Sequence, residues 1–205
     1  MNPFKSLLIP VLLFLVTSCA RDKVDMKARW SFEESKGRIT RETVSNQEFT
    51  IHSDVHPPEW VSGVNGKALR LDGYSSWVYG NLNSPLPDST YCVTGWLALD
   101  SYPVDTASLI AVFDQQTYEG LEMGVDPYGY PFIRFSREGK SRVLSADRPL
   151  EKYAWNRLTL TVQHGEVGLW KNDSVVVQHT ISPECTVLPG QPEIRLGRGR
   201  KDKNV

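Results

Sequence analysis

The sequence predicts an all-β protein built as a two-sheet antiparallel sandwich. Three observations lead there. Short apolar runs recur from Lys27 to Leu196, separated by Gly-, Pro-, Asn- and Asp-containing turns, the pattern of sandwiches and barrels. Beyond the first twenty residues no segment keeps the helical apolar period over a helix length. The aromatic load is heavy, with six Trp, eight Tyr and seven Phe, and 15 Gly and 13 Pro accompany it. Aromatic filling with frequent turns suits packed sheets better than packed helices.

The predicted strands follow in chain order. Lys27 to Phe32 alternates, with Ala28, Trp30 and Phe32 on one face. Lys67 to Leu71 pairs Leu69 with Leu71 before an Asp72-Gly73 turn. Tyr91 to Leu99 and Ala107 to Phe113 are apolar enough for inner strands, and Trp77-Val78 starts another. Leu121 to Val125 and Pro131 to Ser136 flank Asp126-Pro127-Tyr128-Gly129-Tyr130, a strong hairpin signal. Leu158 to Gln163 alternates Leu and Val against Thr and Gln. Val167 to Lys171 and Val175 to His179 flank the Asn172-Asp173 turn, and Glu193 to Leu196 is a short last strand. Trp30, Trp96, Trp155 and Trp170 are expected to fill the core.

The first residues form an address ahead of this fold. Lys5 precedes an apolar run from Leu7 to Val16, too short for a permanent membrane helix of about 20 residues. Val16-Thr17-Ser18-Cys19 follows and resembles the lipobox of bacterial lipoproteins, in which cleavage leaves a lipidated Cys at the N-terminus. The expected organisation is a signal peptide over 1–18, a lipidated tether over 19–26 and one sandwich over 27–205. Cys19 is the expected covalent lipid anchor, and Ala20 after it favours the outer membrane. With Cys19 assigned to lipid, Cys92 and Cys185 remain as an even pair in an oxidising compartment. They are either a disulfide or two separate buried thiols.

Charge excludes one class of partner. Lys+Arg number 23 and Asp+Glu 24, for a formal net charge of -1, so no basic field is present to gather nucleic acid.

Five segments carry a family resemblance. Trp30-Ser31-Phe32-Glu33-Glu34, the stretch from Trp60 through Gly63, Gly66, Ala68, Leu69 and Asp72 to Gly73, and Val93-Thr94-Gly95-Trp96-Leu97 come first. Trp155-Asn156-Arg157-Leu158 with Leu169-Trp170-Lys171-Asn172-Asp173 comes next, and Ile194-Arg195-Leu196-Gly197-Arg198 last. In this order they resemble bacterial laminin-G-like domains of the concanavalin A-like jelly-roll type. The stretch from Trp30 through Arg41 to Ser45 and on to Val78 is similar, more narrowly, to the N-terminal module of family 32 glycoside hydrolases of the levanase, inulinase and fructosidase type. That resemblance implies a jelly-roll sandwich in a fructan-related setting. It also implies a closing strand that these residues do not contain, and hence a downstream catalytic domain beyond Val205.

Catalytic chemistry finds little support in the residues. Of the fructosidase motifs only Glu184-Cys185 occurs, without a partner for a nucleophile, and Glu184 is expected to be a loop carboxylate. Glu119, Glu122 and Asp126 lack the alternate spacing that sets glucanase carboxylates on one strand face. The four His (His52, His56, His164, His179) are scattered and match no metal motif. Asp72 could help hold a Ca²⁺, as loop carboxylates do in laminin-G-like domains, or could cap its own turn. What remains is recognition of a polysaccharide or oligosaccharide, whose C–H faces stack on aromatic rings. The candidate rings are Tyr74, Trp77, Tyr118, Tyr128 and Tyr130, with Trp77 also a candidate for the core. The readings carried forward are a carbohydrate-binding or supporting module, a fragment of a fructan-cleaving hydrolase, and a surface adhesion domain.

Overall fold

The computed structural model describes residues 25–199 apart from Tyr74, Ser84 and Asp88. Cys19, the signal segment and Tyr74 therefore lie outside the described residues. Within them the strands are β1 (Ile39–Arg41), β2 (Glu48–Ser53), β3 (Glu59–Ser62), β4 (Lys67–Arg70), β5 (Ser76–Asn81), β6 (Thr90–Leu97) and β7 (Ala107–Phe113). They continue as β8 (Gly120–Val125), β9 (Pro131–Arg137), β10 (Lys140–Ser145), β11 (Asn156–Gln163), β12 (Glu166–Lys171), β13 (Ser174–Thr180) and β14 (Glu193–Leu196). The only helical element among the described residues is a 3-10 turn at Pro183–Thr186.

An eight-stranded sheet in the order β1-β2-β5-β14-β7-β8-β9-β10 faces a four-stranded sheet in the order β13-β12-β11-β6, and β3 pairs with β4 in a separate hairpin. Every pairing is antiparallel. This is the all-β sandwich that the alternation predicts. Leu121, Met123, Ile133 and Phe135 of the large sheet pack on Tyr91, Leu158, Leu160, Val167 and Leu169 of the small one. A second cluster of Phe49, Ile51, Val78, Val112 and Ile194 packs against Trp30, Phe32, Trp60 and Leu69, which lie on or before the β3–β4 hairpin.

The departures from sequence have physical reasons. Lys27 to Phe32 forms no strand, and its single ladder contact is a bridge between Trp30 and Glu42. Side-chain chemistry holds it instead. The Glu42 carboxylate, fully buried, accepts the N–H groups of Arg29 at 2.9 Å, Val44 at 2.5 Å and Ser45 at 2.7 Å and the Ser45 hydroxyl at 2.5 Å. Burial pushes that carboxyl upward, and the four donors outweigh it and hold it below the usual carboxylate range. Strands β1, β2, β3 and β10 were not expected from sequence, and of these β1 and β10 are the edges of the large sheet. An edge strand bonds on one side only and shows little apolar alternation.

Cys92 and Cys185 are free thiols. The alternation of β6 turns Tyr91 inward and Cys92 out to the surface. The Tyr91 hydroxyl donates to the Thr186 carbonyl at 2.8 Å, so the residue meeting the 3-10 turn is Tyr91. Cys185 in that turn packs against the inner core. The four-stranded sheet separates the two sulfurs.

Trp30 fills the core as expected, edge-on to Phe49 with ring centroids 5.0 Å apart. Trp96 and Trp155 do not. They are 46% and 37% exposed, and Trp170 is half-buried. On β6 and β12 the inward positions belong to Tyr91, Val93, Val167 and Leu169, which leaves the Trp at the alternate positions facing away from the core.

Candidate functional site

Three loops meet at one end of the sandwich. They are the β6–β7 loop after Leu97, the β8–β9 hairpin tip at 126–130 and the β10–β11 loop after Ser145. Asp126 shapes the hairpin tip. Its Oδ1 accepts the N–H groups of Tyr128 and Tyr130, each at 2.9 Å, while the Asp126 N–H donates to the Tyr130 carbonyl at 3.0 Å. Gly129 sits at φ +90, and a Cβ there would stand 2.4 Å from the Tyr102 ring. Glycine thus serves twice, once for the left-handed turn and once for the close approach of Tyr102.

The loops are then tied together. Leu150 donates to the Gly129 carbonyl at 2.8 Å, and the Tyr102 hydroxyl donates to the Leu150 carbonyl at 3.0 Å. Tyr153 donates to the Leu99 carbonyl at 2.8 Å. The Lys152 ammonium lies 5.3 Å above the Tyr102 ring centroid. Tyr128 and Tyr153 project from this frame at 74% and 79% exposure. Tyr130 and Tyr102 are half-buried beside them. The backbone is pinned at each point that presents a ring, so the rings are displayed with little ordering left to do.

The other ring candidates lie elsewhere. Trp77 is on the outer face of the large sheet, three strands from β8, or about 14 Å across. The His52 ring stacks on it at 3.8 Å from β2, and the Arg198 guanidinium lies 4.4 Å from its centroid after β14. Because β2 and β14 flank β5 on opposite sides, both faces of the Trp77 indole are taken by its own neighbours. Tyr118 sits in the β7–β8 turn, at the far end of β8 and about 20 Å from the Tyr128 turn. Sequence reasoning missed Tyr102 and Tyr153. Their signal was the Tyr-Pro and Lys-Tyr pairs in polar loops, which becomes specific only when the loops converge.

The carboxylate candidates resolve into structural roles. Both oxygens of Asp72 are engaged. Oδ1 accepts the N–H groups of Ser75 and Ser76 and the Ser76 hydroxyl, each at 2.8 Å, and Oδ2 accepts the Ser75 hydroxyl. Asp72 therefore shapes the turn that launches β5. Among the described residues no three His, Cys, Asp or Glu side chains gather as a metal site. Glu184 is fully exposed, and the Ser182 hydroxyl followed by its own backbone N–H holds its carboxyl below the usual range, the wrong direction for a proton donor. Glu122 is 1% exposed on the outer face of the large sheet, where its Oε2 meets Arg134 at 2.6 Å and its Oε1 accepts the Ser108 hydroxyl. Arg134 in turn lies 5.5 Å over the Phe132 ring. Glu122 is thus a buried carboxylate paired with Arg134 and Ser108.

No protein-family model and no curated protein sequence matches the chain. Solved structures do. Domain 4 of AbnA, a GH43 extracellular arabinanase from Geobacillus stearothermophilus solved with arabinotriose, is similar with a TM-score of 0.62 at 17% identity, covering 86% of this chain and 87% of that one. The binding domain of botulinum neurotoxin serotype G gives a TM-score of 0.59 at 9% identity, over 77% of this chain and 40% of that one. A botulinum neurotoxin type C structure, described with two ganglioside molecules, gives 0.56 at 12% identity, over 87% and 44%. These likenesses establish the jelly-roll sandwich.

Proposed function

We propose that this chain is a non-catalytic carbohydrate-binding module. The observation that carries the proposal is the pinned loop end that displays Tyr128 and Tyr153 beside half-buried Tyr102 and Tyr130. Flat rings held rigidly at a loop edge offer C–H stacking, and the Lys152 ammonium and loop amides offer hydrogen bonds to hydroxyls. The resemblance to fructosidase modules and the fold shared with an arabinanase domain support two polymers as ligands, fructan and arabinan. Both are built from five-membered sugar rings. Affinity electrophoresis in gels of levan, inulin, arabinan and a β-glucan tests this. Retardation on one of the first three, abolished by Tyr128→Ala with Tyr153→Ala, is the expected result. Equal mobility in all four gels ends the proposal.

The setting is proposed with it: an exported lipoprotein held at the outer membrane through Cys19, with a carbohydrate-active catalytic domain downstream. The short apolar leader and the Val16-Thr17-Ser18-Cys19 site support export and lipidation. Among the described residues no helix is long and apolar enough to cross a membrane. Cys19→Ala should move the protein from the membrane fraction to the soluble one. Unchanged membrane association counts against the anchor.

A further inference from the structure

The outer face of the four-stranded sheet carries a second group of rings, distinct from Tyr102, Tyr128, Tyr130 and Tyr153. Strand alternation puts Trp96 of β6, Arg157 of β11 and Trp170 of β12 on this face, and Trp155, 37% exposed, ends the loop just before β11. Trp96 stands opposite Arg157 and Trp170 opposite Thr159. Trp96 and Trp170 are therefore two strands and two residues apart, about 12 Å between Cα atoms. That span exceeds one sugar ring.

The rings lie on a built surface. A Cβ on Gly168 would come within 3.1 Å of the Trp170 Nε1, so the missing side chain is what lets that indole lie across the sheet. Trp170 Nε1 donates to the Thr161 hydroxyl at 3.4 Å, and the Thr94 and Thr159 hydroxyls bond at 2.8 Å. The Arg157 guanidinium sits 5.7 Å from the Trp96 centroid and is neutralised by Asp173 at 2.5 Å. The other charge on the face, Glu166 at its far corner, accepts the Thr180 hydroxyl at 2.9 Å.

Indoles, threonine hydroxyls and a compensated guanidinium make a flat face with almost no free charge. Such a face suits a neutral polyhydroxylated chain and gives nothing to hold an acidic or basic partner. We propose that this face is a second carbohydrate-binding surface, a planar platform for an uncharged polysaccharide chain that stacks on Trp96 and Trp170. It rests on the reading of the protein as a carbohydrate-binding module and adds a site that engages extended or insoluble polymer.

The test uses the full chain and pull-down on insoluble cellulose, curdlan and levan, with polygalacturonate as the acidic control. Trp96→Ala with Trp170→Ala should weaken retention on at least one neutral polymer by about tenfold or more, with no binding to the control. The phenylalanine pair at the same positions should restore part of it. Tyr128→Ala with Tyr153→Ala should leave the platform's share intact. A variant-free measurement runs in parallel. Neutral polymer should shield wild-type tryptophan fluorescence from acrylamide. If wild type binds but the tryptophan variants bind equally well and no shielding occurs, the platform is refuted while the loop site stands. If wild type binds no polymer, both fall. If sedimentation shows a wild-type dimer that the tryptophan variants lose, without any change in polymer binding, the face is a protein interface and the proposal is overturned.

Discussion

Glu42→Gln is the most informative single change, because one buried carboxylate organises a segment that has almost no strand pairing. Glu42 Oε1 accepts Arg29 and Val44, and Oε2 accepts the amide and hydroxyl of Ser45. Glutamine keeps one acceptor oxygen and turns an NH₂ toward the other pair of donors. The Ser45 hydroxyl can rotate to accept from it, while the Ser45 N–H, in an exposed turn, loses its carboxylate partner to water. Losing one charge-assisted bond and weakening two others sums to about 2–3 kcal/mol. With a urea slope of about 2 kcal/mol/M, the unfolding midpoint should fall by about 1–1.5 M. Trp30, bridged to Glu42 and packed on Phe49, makes tryptophan fluorescence a suitable reporter. The pH dependence has a definite sign. The folded carboxyl lies below its ordinary value of 4.5, so its contribution is complete above that value and disappears as pH falls through the lower folded one. The gap between wild type and Glu42→Gln should therefore narrow from pH 7 toward pH 3. A midpoint shift under about 0.3 M at pH 7, or a gap that widens on acidification, refutes the reasoning.

Other changes probe the rest of the fold. Arg134→Ala strands the buried Glu122 carboxylate and should cost about 3–5 kcal/mol in urea unfolding, whereas Glu122→Leu with Arg134→Met should recover more than half of it. A double variant no better than the single one would contradict the pairing. Gly129→Ala meets both the left-handed backbone and the Tyr102 ring, so a cost of about 1–3 kcal/mol and a Tm lower by about 3–10 °C are expected. An unchanged Tm would show that the hairpin tip is looser than described. Because Cys92 and Cys185 are unbridged, dithiothreitol should leave the Tm of the purified protein unchanged. A drop of more than about 5 °C would reveal a disulfide, since closing so long a loop contributes several kcal/mol. Cys92 faces outward, yet the atoms packed around its sulfur partly desolvate it and raise its thiol pKa, so alkylation at pH 7 should be slow and accelerate with rising pH.

Local chemistry carried much of the fold in the sequence itself. The alternation of Leu158 to Gln163, the Asp126-to-Tyr130 tip and the Asn172-Asp173 turn each specify strands or turns from nearest neighbours, and the structure contains all three. Tyr128 and Tyr130 were legible as turn aromatics for the same reason. Glu42 was not, since nothing in Arg41-Glu42-Thr43 announces that a backbone segment thirteen residues earlier will donate to it. A period of two says which residues share a face. It does not say which face meets the other sheet. That choice left Trp96 and Trp155 in solvent, parted Cys92 from Cys185 and brought Tyr102 and Tyr153 to the hairpin tip, because each depends on pairings between residues distant in the chain, which only the assembled sheets supply.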